Sequence, residues 1–292
     1  RDPRSVVVVS VVTAEQMKKT LISLAALVLL LQVNSFAQSP AKSSVETVQF
    51  QSKLVNAALP YNVILPTDYA EAKTTRYPVL YLLHGLTGHY DNWVSMTQLK
   101  EYAARYEMIV VTPEGNNGWY TDSATVPTEK YETYILQEVI PDVQQRYRTI
   151  KTRAGRAIGG LSMGGYGALK FGVKHPELFV FIASMSGALG AASWTEADLR
   201  GSQVLWRSLV TIYGPADSSV RAANDVHKLY REVPAERLAE LPYVDLDCGT
   251  EDPLLQSSRS LADLLLARKI QHEYRELPGA HNWTYWNAQV VE

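Results

Sequence analysis

The chain of 292 residues contains a single cysteine, Cys248. That excludes an intrachain disulfide framework and any multi-cysteine metal site, and leaves Cys248 to be read as a small, buried apolar residue. A surplus of one charge is missing as well: 28 Lys and Arg stand against 30 Asp and Glu, a formal net charge of -2. So even a balance carries no electrostatic footprint for nucleic acid, and no run of like charges suggests an interaction tail. No H-E-x-x-H or similar ligand spacing occurs and no dinucleotide fingerprint stands out, so neither a metal nor a cofactor is expected. Internal repeats and low-complexity linkers are absent, which argues against solenoids and arrays. The N-terminal apolar run, Leu21 to about Val33, is too short for a membrane span of about 20 residues.

That run has a different reading. Met17 is followed by Lys18 and Lys19, then by the apolar stretch, then by Ser35 and Ala37 at the -3 and -1 positions of a cut after Ala37. This is the three-part layout of a secretory signal peptide. Residues 1–16 precede the natural start and are expected to be upstream, non-native sequence. Residues 38–292 then form one exported domain, with no membrane span in the mature protein.

Within that domain, several short apolar runs end in glycine or polar punctuation: 77–85, 108–115, 156–162, 179–187 and 243–249. Runs of this length suit strands buried on both faces. Amphipathic helical segments alternate with them. One spans 129–147, with Tyr131, Ile135, Val139 and Val143 on one face and a kink or restart at Pro141; a second spans 255–269. The expected fold is therefore α/β, with a mostly parallel central sheet flanked by helices. Residues 190–242 read as an irregular insertion or lid.

The chemistry centres on "IGGLSMGGYGAL", 158–169, which places five glycines around one serine. Gly160-Leu161-Ser162-Met163-Gly164 is the G-x-S-x-G pattern of a nucleophile elbow. A serine on so tight a strand-to-helix turn needs small residues two before and two after it, because larger side chains would collide. An apolar strand enters and a segment with helical spacing of Tyr166, Leu169 and Val173 leaves, as an elbow requires. A serine hydroxyl becomes a useful nucleophile only when a histidine takes its proton and an acid orients that histidine. His281, in a glycine-marked loop after the last strand, is the expected base. His175 falls in the helix after the elbow, His227 in the insertion and His272 within a strand. Asp252, on the turn after the strand 243–249, is the expected acid, with Glu251 in reserve. Asp245 and Asp247 lie inside the strand and are expected to serve packing networks. The backbone amides of Met163 and of Leu86, the latter after the strand ending in His84-Gly85, are the expected oxyanion donors. His84 itself reads as a residue that stiffens its loop. Trp93, Trp119, Tyr120 and Trp283, with Trp286, crowd the predicted loops as flat faces for a sugar ring or an aromatic acyl group, or as caps on the core beneath.

Taken together, "YLLHGLTGHYDNW", "GNNGWYTDS", "YETYILQEVIPDVQQRYRT", "RAIGGLSMGGYGAL", "CGTEDPLL" and "GAHNWTYW" resemble the esterase family of α/β-hydrolases that groups esterase D (S-formylglutathione hydrolase), feruloyl and acetyl-xylan esterases, tributyrin esterases and mycolyltransferases. The resemblance covers roughly residues 47–290. It implies an α/β-hydrolase fold, the triad Ser162, Asp252 and His281, and oxyanion donors at Leu86 and Met163. Such hydrolases usually end in a helix packed after the histidine loop; this chain stops soon after His281, which reads as a C-terminally incomplete fragment. The leading functional reading is a secreted serine ester hydrolase acting on sugar-linked acetyl or feruloyl esters, or on short-chain esters. The substrate is a small-molecule or polysaccharide ester. A mycolyltransferase-type acyltransferase shares the same acyl-enzyme, and product analysis with glycerol or trehalose separates the two. Export argues against S-formylglutathione, a cytosolic thioester. A non-catalytic carbohydrate-binding relative would have no need of the full triad.

Overall fold

The computed structural model describes residues 43–199 and 201–292. The expected leader at 17–37 and the segment before it lie outside the described residues. The five apolar runs all form strands, and the sheet they build has eight: β1 (Ser44–Val48), β2 (Tyr61–Leu65), β3 (Val79–Leu83), β4 (Ile109–Pro113), β5 (Arg156–Leu161), β6 (Phe181–Met185), β7 (Tyr243–Gly249) and β8 (His272–Leu277). Their spatial order is β1-β2-β4-β3-β5-β6-β7-β8. β2 runs antiparallel to both β1 and β4, and every other pair is parallel. Parallel strands need crossovers, and the crossovers carry helices that cover both faces.

Alternation along each strand divides the apolar side chains between two cores. In β3, Val79, Tyr81 and Leu83 enter the larger core while Leu82 enters the smaller. The larger core is closed by α3 (Tyr131–Tyr134), α4 (Ile140–Arg146), α5 (Met163–Lys174), α6 (Gln203–Tyr213), α8 (Val226–Glu232) and α9 (Leu255–Ala267). In chain order, α1 (Asn92–Met96) and α2 (Leu99–Ala103) come first, α7 (Ser219–Asn224) lies between α6 and α8, and α10 (Trp283–Gln289) comes last. α1, α2 and α10 close the smaller core with Trp93, Leu99, Ala103, Tyr285 and Trp286.

The expected helix over 129–147 is helical throughout its middle, and its four facing residues are buried. Pro141 does not break it. A π-helical turn, Ile135–Val139, sits immediately before α4. The proline cannot donate a backbone hydrogen bond and its ring would crowd the preceding turn, and one wide turn relieves both. The insertion at 190–242 is made of short pieces, α6 to α8 and two 3-10 turns. Arg221 ties it together: its guanidinium is buried and donates to the carbonyls of Ala192, Trp194, Gly214 and Pro215. The hydroxyls of Tyr166 and Tyr230 then bond the insertion and α5 together, donating to Asn224 and Leu169 carbonyls. Among the described residues no helix is long and apolar enough to cross a membrane.

Candidate active site

Ser162 sits between β5 and α5 with φ 53 and ψ -115, a conformation that L side chains rarely adopt. Small neighbours make the turn possible. A Cβ on Gly160 would lie 2.6 Å from the backbone of Gly164, and one on Gly164 would lie 2.4 Å from the Leu83 carbonyl oxygen. Three backbone bonds hold the strained residue. Its N–H donates to Met185 O at 3.0 Å, and its carbonyl accepts from Tyr166 N–H at 3.0 Å and Ala188 N–H at 2.9 Å. The turn after β6 therefore grips the peptide groups on both sides of Ser162. The centre of that turn, Ser186, is itself fully buried at φ 49.

His281 and Asp252 meet Ser162 from loops after β8 and β7. The His281 Nε2 lies 3.0 Å from Ser162 Oγ, and its Nδ1 lies 2.8 Å from Asp252 Oδ2. Asp252 Oδ1 accepts from Leu254 N–H at 2.8 Å. Burial alone would push the Asp252 carboxyl up, but the His281 ring and the Leu254 amide outweigh it and hold the group below its usual value. Glu251 is exposed, and its carboxylate makes no hydrogen bond to His281. The imidazole stands edge-on to the Trp286 ring, centroids 4.9 Å apart, and Trp286 in turn meets Trp283 at 5.2 Å and Trp283 meets Trp93 at 5.5 Å. A buttress of indoles thus fixes the ring plane. Trp286 was among the aromatic residues in the sequence, but its place beneath His281 carries no signal beyond the spacing of five residues.

Met163 opens α5, so its N–H is one of the helix-terminal amides without an intrahelical acceptor. Leu86 lines the same cleft as Ser162 and His281, together with Gly85, Thr87, Gly88, Asn282 and Trp283. Among the described residues the Leu86 amide donates to no protein acceptor. Both expected donors are thus uncommitted beside the serine.

Of the aromatic residues expected to face substrate, Trp283 and Trp286 line the cleft beside Ser162. Trp93, Trp119 and Tyr120 are buried, and their polar atoms are satisfied internally, by Leu83 O, Ser208 Oγ and His84 O. They cap the core beneath the loops. Their burial has a physical cause: a ring whose N–H or O–H already has an interior partner gains most by full burial.

Two buried ionic groups tie these loops down, and neither was singled out from sequence. Glu114 accepts from the amides of Tyr90, Gly115 and Asn116 and lies against His84, itself buried as expected of a loop stiffener. Burial raises its carboxyl, but His84 and the amides prevail and hold it well below the usual carboxylate range. On α5, Lys170 is fully buried and donates to Tyr120 O, Thr121 Oγ1 and Glu132. Desolvation lowers its ammonium to about 8, against the pull of Glu132. Cys248 is buried and unpaired, with its thiol pushed up to about 11 by desolvation, the inert residue expected.

Comparison with known proteins gives one family. The family model described as "Putative esterase" matches residues 52–292. An acetyl esterase of Caldicellulosiruptor saccharolyticus is 29% identical over 252 residues, covering 84% of this chain and 94% of its own. A ferulic acid esterase of known structure superposes with a TM-score of 0.71 at 30% identity, covering 86% of this chain and 95% of its own. A Staphylococcus aureus protein described as a fluorophosphonate-binding serine hydrolase gives a TM-score of 0.73 at 25% identity, covering 85% and 96%.

Proposed function

The chain belongs to this esterase family of α/β-hydrolases and is a carboxylic ester hydrolase, and from that premise we propose that it works through an acyl-enzyme on Ser162, with His281 as base and Asp252 as orienting acid. The observation that carries the proposal is the continuous relay from Ser162 Oγ through the His281 ring to Asp252, at 3.0 and 2.8 Å. Ser162 Oγ attacks the ester carbonyl carbon and its proton passes to His281 Nε2. The tetrahedral oxyanion takes the amides of Leu86 and Met163. Collapse breaks the bond to the alcohol oxygen, which leaves with the proton from His281. Water then attacks the acyl carbon, gives its proton to His281 and releases the acid, and the histidine returns the proton to Ser162. Asp252, ionised and accepting from Nδ1–H, favours the tautomer whose Nε2 lone pair faces the serine.

Sugar-linked acetyl or feruloyl esters, or short-chain esters, are the substrates we assign. The acetyl esterase and ferulic acid esterase among the similar proteins support that assignment, as does the half-buried Trp283 in the cleft. Export is inferred from the layout of residues 17–37, and N-terminal sequencing of the secreted protein should begin at Gln38. For the mechanism, Ser162→Ala is expected to lose at least ~10³-fold in kcat on p-nitrophenyl acetate, p-nitrophenyl butyrate and methyl ferulate. Near-full activity in that variant would sink the acyl-enzyme.

A further inference from the structure

Three successive carbonyls at the end of β3 each take a hydrogen bond from a buried ring. Trp93 Nε1–H donates to Leu83 O at 3.1 Å, the Tyr120 hydroxyl donates to His84 O at 3.1 Å, and His84 Nδ1 lies 2.8 Å from Gly85 O. A carbonyl oxygen can only accept, so His84 Nδ1 carries a proton and donates it. The other ring nitrogen, Nε2, accepts from Gly115 N–H at 2.9 Å and lies 3.2 Å from Glu114 Oε1. None of the three rings lines the cleft that holds Ser162 and His281.

The next backbone donor along the chain is Leu86 N–H. It belongs to the same peptide group as Gly85 O, and in a trans peptide the two point in opposite directions. Whatever holds Gly85 O therefore aims Leu86 N–H. Gly85 O is held twice, by His84 Nδ1–H and by Gly88 N–H at 3.0 Å. Tyr120 holds the peptide before it. The Tyr120 ring lies on α5, so close that a Cβ on Gly167 would come 2.8 Å from it, and the Tyr120 carbonyl accepts from the buried Lys170 Nζ at 2.6 Å. α5 is the helix that Met163 opens, so both expected oxyanion amides are referred to one element. Gly85 itself packs on the serine, where an added Cβ would lie 3.4 Å from Ser162 Cβ.

We infer that His84 and Tyr120 are positioning residues of the ester hydrolysis: they aim the Leu86 N–H at the oxygen that becomes negative in the transition state, at a fixed distance from the Met163 N–H. The inference rests on the acyl-enzyme reading and adds two residues outside the triad. A donor already held in place needs no rearrangement as the charge develops. Hydrogen bonds to Gly85 O also polarise its peptide group, which makes the Leu86 N–H the stronger donor.

The test uses two substitutions of one residue that separate the two ring nitrogens. In His84→Asn the amide nitrogen takes the place of Nδ1 and donates to Gly85 O. In His84→Gln the amide lies one atom farther out, at the place of Nε2, where it serves Gly115 and leaves Gly85 O to Gly88 alone. On p-nitrophenyl acetate, kcat should fall ~30-fold or more in His84→Gln and less than ~5-fold in His84→Asn, with KM within about twofold in both, because oxyanion contacts act in the transition state. Affinity for a trifluoromethyl ketone, whose adduct with Ser162 carries the same oxyanion, should fall in proportion to kcat. Tyr120→Phe, which removes one oxygen atom, is expected to lower kcat ~3-fold or more with KM unchanged, and it carries the test alone if either His84 variant does not fold. Equal losses in the two His84 variants, or losses that appear in KM rather than kcat, overturn the inference, as does full kcat in Tyr120→Phe. Ser162→Ala reports separately on the acyl-enzyme: its near-full activity defeats that reading, whereas full kcat in His84→Gln beside an inactive Ser162→Ala defeats only this one.

Discussion

Asp247 and Asp252 lie five residues apart around the end of β7, are equally buried, and are pushed in opposite directions. Desolvation raises the Asp247 carboxyl to about 7, helped by Asp245 and Asp252 and opposed by Arg275 and the Tyr285 hydroxyl that donates to it at 2.7 Å. Asp252 is raised by desolvation too, but has the His281 ring on one oxygen and the Leu254 amide on the other. Burial is common to both, so the partners decide. The pair teaches that a carboxylate orients a histidine only where the fold also supplies enough donors to keep it charged.

Breaking Asp252, the proposed acid, should have the larger effect. Asp252→Asn is expected to reduce kcat on p-nitrophenyl acetate by on the order of 10⁴-fold, because the amide favours the wrong imidazole tautomer. If that variant is unimpaired while Glu251→Gln is crippled, the acid is Glu251. Asp247→Asn sharpens the contrast from the other side, with kcat changed by less than about threefold and the gain appearing in stability. An acid whose folded value is raised costs nothing below its unfolded value near 4. It costs progressively more up to its folded value near 7, and a constant amount above that. The stabilisation by Asn should therefore grow by roughly 1–3 kcal/mol between pH 5 and pH 8 in urea unfolding. A gain that does not vary with pH would show that Asp247 is not protonated in the fold. Tyr285→Phe should have the smallest effect, a loss of ~1 kcal/mol at pH 8 as Asp247 loses its donor, and at pH 5 the difference should narrow.

The same contrast marks what the residue pattern could reveal. Strand runs, the glycines around Ser162, and His281 in its loop are local features with local causes, and they were legible. So was the contact of Asp252, rather than Asp247, with His281, because a residue inside a strand packs whereas one on the turn beyond it reaches a neighbouring loop. For Trp93, Trp119 and Tyr120 the residue pattern left open a face for substrate or a cap on the core, because burial depends on which distant carbonyl or hydroxyl receives the ring's polar atom. Leu83, Ser208 and His84 are invisible as partners until the chain folds. Glu114 and Lys170 escaped for the same reason: each lies in a run with no chemical motif, and only tertiary contact makes it a tie between loops. Trp119 and Tyr120 hold left-handed backbone angles, as do Thr87, Asn116, Ser162 and Ser186, six of the eight such non-glycine residues among those described. Thr87 and Ser162 line the cleft itself, and left-handed conformations at residues of these types carry little sequence signature.

The grip of the turn 185–188 on Ser162 has a consequence for motion. The Ser162 N–H donates to Met185 O, continuing the sheet ladder past the formal end of β5. Amide exchange with deuterated water should therefore be slow at Ser162, on the scale of global unfolding, although its hydroxyl opens on a solvent-filled cleft. Ser162 would then be among the last backbone positions to loosen, and a reagent that labels its hydroxyl would be reporting on the most persistent part of the fold.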